Sequence, residues 1–160
     1  MRDLAKEADA PCALEDDVAH ECRIRDAYAA RLADFRPGER LLATEHSYVG
    51  SRIRGDMRTI DPENVVRVWE FEVVCGYTGL GQVLTYLATA RRSTDFSQPT
   101  RGVLAAFEFQ PEVLTAIDVL NLGIEVVHLP ETLRRAGEVL PAPAPVVAPA
   151  IPVHDIRKDR

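Results

Sequence analysis

The sequence contains no stretch approaching the roughly 20 consecutive apolar residues that a membrane-spanning helix requires. Its opening residues, MRDLAKEADAPC, are too polar for a secretory leader. A cytoplasmic protein without a membrane partner is the expectation. Cysteine is scarce: Cys12, Cys22 and Cys75 are odd in number and hold no close pair, which fits neither a disulfide framework nor a zinc knuckle. Free, mostly buried thiols are expected. No Walker loop, GxGxxG fingerprint, GxSxG elbow or CxxC pair occurs, which argues against nucleotide, serine-hydrolase and redox chemistry. The histidines, at 20, 46, 128 and 154, are scattered without ligand spacing. An excess of basic charge is also missing. The formal charge of −6 argues against a surface that coats nucleic acid indiscriminately, but leaves room for a local basic cleft.

What is present fits one well-cored domain and a tail. A length of 160 residues is short for two domains, and 46% hydrophobic with 28% charged residues is ordinary globular usage. The chain divides into a flexible N-terminus (1–13), a single domain (14–139) and a C-terminal tail (140–160). The tail alternates Pro and Ala with no periodic apolar face and is expected to be extended and polyproline-like.

Within the domain, Leu14 to Phe35 places Leu14, Val18, Cys22, Ile24, Ala29, Leu32 and Phe35 near helical spacing, and Pro37-Gly38 ends that helix. Leu41 to Glu45 reads as a short second helix or a continuation of the first. Ile53 to Ile60 and Val65 to Val74 read as strands joined by the turn Asp61-Pro62-Glu63-Asn64. After a loop at Gly76 to Gly79, Leu80 to Arg92 reads as a helix that buries Val83, Leu84, Leu87 and Ala88. Arg101 to Phe109 has an apolar centre, which predicts an interior strand. A helix from Pro111 to Gly123 follows, then a strand from Ile124 to Leu129, so these two strands are expected to be parallel neighbours. Pro130 to Val139 reads as a last short helix.

The chemistry concentrates in the central hairpin. Asp56 sits on its first strand, and Glu70 and Glu72 share one face of the second, while Trp69, Phe71 and Val73 take the other. If the strands pair, Asp56 and Glu70 meet near one end. Three carboxylates held close repel one another unless a cation lies between them, so a metal site is the physical expectation. Solvated acids on an exposed strand face are the alternative. Glu45, by position alone an exposed helix-end residue, is near enough in sequence to approach Asp56. Arg52, Arg54 and Arg58 share a face with Asp56 by parity, either as an exposed face balancing the acids or as contacts to DNA phosphates. Arg91 and Arg92, with Arg101, extend such a track.

The order helix, strand, strand, helix, strand, helix, strand, with these acids in place, resembles the PD-(D/E)XK nuclease superfamily, the restriction-endonuclease-like fold. Asp56 matches the first Asp of its motif, Glu70 the (D/E) position, and Glu72 stands where most members carry Lys. Gln82 to Tyr86 resembles the QxxxY motif of the RecB-like branch, and Glu45 the helix acid that some members add. The resemblance spans roughly Glu45 to Leu129, about half the chain. It implies an α/β fold with a mixed central sheet of about four strands flanked by helices. It further implies a Mg²⁺- or Mn²⁺-dependent DNase in which Asp56, Glu70, the Phe71 carbonyl and Glu45 hold the metal. Glu72 would be a general base or further ligand, Gln82 would orient phosphate or water, and Tyr86 would support the site; Gln82 and Tyr86 also read as an ordinary helix surface. DNA is the implied partner, with RNA open, alongside a homodimer or host complex and a protein partner for the tail. The alternative is a nuclease-like module without catalysis that binds nucleic acid or protein.

Overall fold

A computed structural model describes residues 11–50 and 52–137. The Pro/Ala-rich tail and most of the expected N-terminal segment lie outside the described residues. The element order is α1 (Pro11–Ala30), α2 (Leu32–Phe35), β1 (Arg40–Ser47), β2 (Arg54–Ile60), β3 (Val66–Cys75), α3 (Tyr77–Ser93), β4 (Thr100–Phe109), α4 (Pro111–Leu120), β5 (Ile124–His128) and a closing 3₁₀ segment (Glu131–Gly137). The five strands form one sheet in sequence order. β1, β2 and β3 run antiparallel to their neighbours, whereas β3, β4 and β5 are mutually parallel. This is a mixed, restriction-endonuclease-like sheet with helices on both faces.

Period-two alternation decides which helix each strand residue meets. Trp69 and Phe71 of β3, with Val103, Ala105 and Phe107 of β4, pack under Ile24, Tyr28 and Leu32, a stripe at four-residue spacing along α1 and into α2. The intervening Leu104 and Ala106 face the other way, onto Val83 of α3 and Val113 and Ile117 of α4. Val68 meets Tyr86, Leu87 and Ala90. β4 is therefore buried on both faces from Gly102 to Phe107, as its apolar centre predicts for an interior strand. The β2–β3 turn forms as its residues dictate. The Asp61 carboxylate accepts the Val65 amide at 2.8 Å, and Asn64 takes a left-handed φ of 65°.

The expected helix at Leu41 to Glu45 is instead strand β1, which makes five strands rather than four. Leucine, alanine and glutamate favour helix locally, but pairing with β2 from Arg40↔Ile60 to Ser47↔Arg54 overrides that preference. β1 is an edge strand with Leu41 and Leu42 about 45% exposed, so no buried face marks it in the sequence. A register shift between Leu41 and Ala43 further breaks its alternation. The first helix is interrupted at Arg31, and the turn lets Phe35 stack on Tyr28 with ring centroids 4.7 Å apart. α3 begins at Tyr77, so the expected Gly76 to Gly79 loop mostly belongs to its first turn. α4 ends at Asn121, in the left-handed conformation with φ 49°, ahead of Gly123. The segment after Pro130 is 3₁₀ rather than α.

Candidate active site

β2–β3 pairing is continuous from Ile60↔Val66 to Met57↔Trp69 and stops there. At the next step Asp56 turns its carboxylate inward, and Oδ2 accepts the Phe71 amide at 2.9 Å. A side chain thus replaces a strand carbonyl at the point where β2 and β3 part. Burial raises the Asp56 pKa, against the Phe71 hydrogen bond and the nearby Arg25 and Arg54 cations that lower it.

Glu70 lies beside Asp56, as the hairpin reading requires, and is 4% exposed. Its Oε2 is buried with no hydrogen-bond partner among the described residues. Burial, then repulsion from Asp56, Glu72 and Glu21, pushes its pKa up to about 10. The Tyr86 hydroxyl is hydrogen-bonded to Glu70 and to Gln82, so the two α3 residues support this carboxyl from one helical turn apart. Glu72 is half-buried and is raised to about 8 by burial and by Glu21, whose carboxyl is also its hydrogen-bond partner. The first turn of α3 closes on Glu72: a Cβ at Gly79 would stand 2.8 Å from its Oε1 and would push that carboxylate aside.

Glu21 is the residue the sequence reading missed. Its place among the acids on α1 gives no local cue, because the contact to Glu72 joins positions far apart in the chain. Glu45, by contrast, is not a helix acid. It lies on β1 with φ 51°, and its carboxylate meets Arg25 at 3.3 Å and Arg54 at 3.7 Å. Arg25, also unforeseen, is 5% exposed and bonds Asp26 at 2.8 Å as well, which makes it the buried cation nearest Asp56.

The arginines divide. Arg52 and Arg54 line a groove of about 850 Å³ with Ser47, Thr78, Gln82 and Tyr86, beside the acids. Arg58 and Arg92 line the depression next to it. Arg91 joins neither, since its guanidinium is bound to the Thr100 carbonyl at 2.9 Å, and Arg101 pairs with Glu125 at 3.8 Å. Trp69 is core, its Nε1 donating to Thr59 Oγ1 at 2.9 Å. Cys22 and Cys75 are free thiols.

Among the described residues no three His, Cys, Asp or Glu side chains form a closed metal-ligand cluster. The donors present nevertheless fit a hard divalent ion in kind. They are all oxygens, they repel one another, and one of them, Glu70 Oε2, is buried without a partner. Mg²⁺ is typically held by one or two carboxylates, waters and substrate phosphates rather than by an all-protein cage.

No known protein-family description matches the chain, and no curated protein matches it. Three solved structures are similar in fold. The EndoMS–dsDNA2 complex superposes with a TM-score of 0.58 at 14% identity over 82% of this chain. A repair endonuclease from Pyrococcus abyssi gives 0.54 at 14% over 79%, and EndoMS in apo form gives 0.51 at 17% over 69%. The chain spans about half the length of each: 50%, 50% and 47%. At these identities the likeness shows a nuclease-like fold.

Proposed function

We propose that this chain is a metal-dependent DNA nuclease of the PD-(D/E)XK type. The observation that carries the reading is the buried, unpartnered Glu70 oxygen, set among Asp56, Glu72 and Glu21. Like charges do not converge in a low-dielectric site without something to neutralise them. Asp56, Glu70 and the Phe71 carbonyl would hold Mg²⁺ or Mn²⁺, with Glu45 held back by its two arginines. Such an ion polarises the scissile phosphate, lowers the pKa of a bound water and stabilises the leaving oxygen.

The chain's own groups supply the rest. Glu72, raised to about 8 by burial and then by Glu21, lies near the operating pH and is suited to take a proton from the attacking water. Tyr86 fixes Glu70, and Gln82 on the groove wall orients phosphate or water. Arg52 and Arg54 hold DNA by its phosphates without reading sequence. The fold shared with the EndoMS–dsDNA2 complex supports DNA as the substrate class. The Gln82 to Tyr86 spacing favours the RecB-like branch.

The test is degradation of a plasmid and of single- and double-stranded oligonucleotides with Mg²⁺ or Mn²⁺. The parent is expected to cut, and Asp56→Asn and Glu70→Gln are each expected to lose at least about a hundredfold in rate, the scale of several kcal/mol of transition-state stabilisation. Absence of cutting by the parent with either ion, on DNA and RNA, sinks the proposal. A second reading is favoured by one observation: the position where an ammonium is usual carries Glu72, which lies against a second acid, Glu21. On that reading the chain is a nuclease-like module that binds DNA without cutting it, and binding would survive where cleavage is absent.

A further inference from the structure

Beside the groove, a depression of about 940 Å³ runs between the end of β1 and the C-terminal half of α3, and Ser47 lines both. Its wall carries His46, Tyr48, Arg58 and Arg92. Two buried polar atoms there have no hydrogen-bond partner among the described residues, the Tyr48 hydroxyl and Arg58 Nε. Tyr48 is only 8% exposed, so its hydroxyl bears a desolvation penalty that the protein alone does not offset.

Among the described residues Arg58 also has no carboxylate partner, unlike several other arginines of the domain. Arg25, Arg36, Arg67 and Arg134 each meet a carboxylate within 2.8 Å. Arg58 touches the His46 ring, Nη1 to Nε2 at 3.0 Å, and lies 5.8 Å from the Tyr48 ring centroid. A guanidinium has no acceptor, so His46 Nε2 must accept, and that imidazole is neutral. Among the described residues no carboxylate compensates the positive charge of Arg58. Nearby hydroxyls do not compete for a ligand as donors: Thr89, Ser93 and Thr94 donate to carbonyls of α3 at 2.8, 2.8 and 3.2 Å.

Donors without acceptors around an uncompensated cation specify an anion with several oxygens. We propose that this depression binds a backbone phosphate of the DNA strand lying in the adjoining groove. Arg58 Nε and the Tyr48 hydroxyl, both shielded from solvent in the free protein, donate to its oxygens once the two side chains part to admit it, and Arg92 approaches from α3. The inference rests on the groove being a DNA-binding cleft. Gln82 and Arg92 are ten residues apart on α3, about 15 Å at 1.5 Å per residue. Backbone phosphates two to three nucleotides apart span about that distance, so the anchored phosphate is that far along the strand from the one at the acids. It holds the strand in register rather than taking part in cleavage.

Fluorescence anisotropy with a labelled double-stranded oligonucleotide, in EDTA so that cutting plays no part, tests this on the full chain. Tyr48→Phe is expected to weaken binding about fivefold and Arg58→Gln about tenfold or more, with Arg58→Lys between Arg58→Gln and the parent, because it keeps the charge and loses Nε. Tyr48→Phe is also expected to raise the thermal midpoint of the free protein, since it removes an orphaned hydroxyl. Weaker binding by a more stable fold is not what a merely structural tyrosine gives. Tyr48→Phe and Arg58→Lys variants that fold and bind as the parent does overturn the proposal. So does a site protected thermally by millimolar inorganic phosphate whose variants leave oligonucleotide binding unchanged. A parent that binds DNA with this sensitivity but cuts nothing refutes only the catalytic reading.

Discussion

Glu70 shows how much one carboxyl can set the behaviour of the protein around it. Its pKa is about 10 in the metal-free fold against an ordinary 4.5, and Glu72 is raised to about 8. Above pH 4.5 the unfolded chain releases protons that the folded chain keeps. The stability tied to these groups is therefore fully present at low pH and lost as pH rises toward 10. In EDTA the thermal midpoint is expected to fall between pH 6 and pH 9, at about 3 °C per kcal/mol for a chain of this size. Glu70→Gln should raise the midpoint and flatten most of that slope, while Mn²⁺ should raise the parent's midpoint more at pH 8 than at pH 6. A midpoint that climbs with pH in EDTA contradicts the buried-acid account. Hairpin parity was enough to bring Asp56, Glu70 and Glu72 together from the sequence, because alternation is a local rule. Glu21 and Arg25 were not legible, since their places depend on how α1 crosses the sheet. Glu45 was misread with its segment: as part of β1 it faces Arg25 and Arg54.

At the scale of elements, α3 carries two glycines with different consequences. A Cβ on Gly79 would meet Glu72 Oε1 at 2.8 Å and Cys75 Sγ at 3.2 Å, whereas one on Gly81 would meet nothing within 4 Å. Gly81→Ala should stabilise the protein by about 0.5–1 kcal/mol through helix propensity. Gly79→Ala has the same propensity gain but displaces the Glu72 carboxylate, so it is expected to stabilise less than Gly81→Ala and, on the proposed function, to lower nuclease activity. Urea denaturation of the two variants reads the difference, and equal stabilisation of both would refute the close approach. Elements with a buried face, such as α1, β3 and β4, were readable because burial writes periodicity into sequence. β1 was not, because an edge strand with exposed leucines buries too little to leave a pattern.

Over the whole molecule, the net charge of −6 and the local arginines pull in opposite directions. On the proposed function, DNA binding would run through the Arg52, Arg54, Arg58 and Arg92 wall. About four phosphate contacts give a slope of log K against log salt near −3.6, and Arg92→Gln should reduce it by about one. A slope near −1 would leave these arginines without a role. The β2–β3 hairpin, the parallel β4–β5 crossover and the flanking helices were foreseeable from element order, the edge strand β1 was not, and structures with 14–17% identity share the fold. Such likeness without sequence agreement follows from topology being set by pattern, which many sequences satisfy.

The Phe71 amide proton is held by the Asp56 carboxylate rather than by a strand carbonyl. Its chemical shift and its exchange with solvent deuterium therefore report on the site and not on the ladder. Anything that draws Asp56 toward itself loosens that one bond while the β3–β4 amides stay protected. In the ¹⁵N-labelled protein the Phe71 amide is therefore a backbone resonance from which occupancy of the acidic cluster can be titrated without turnover.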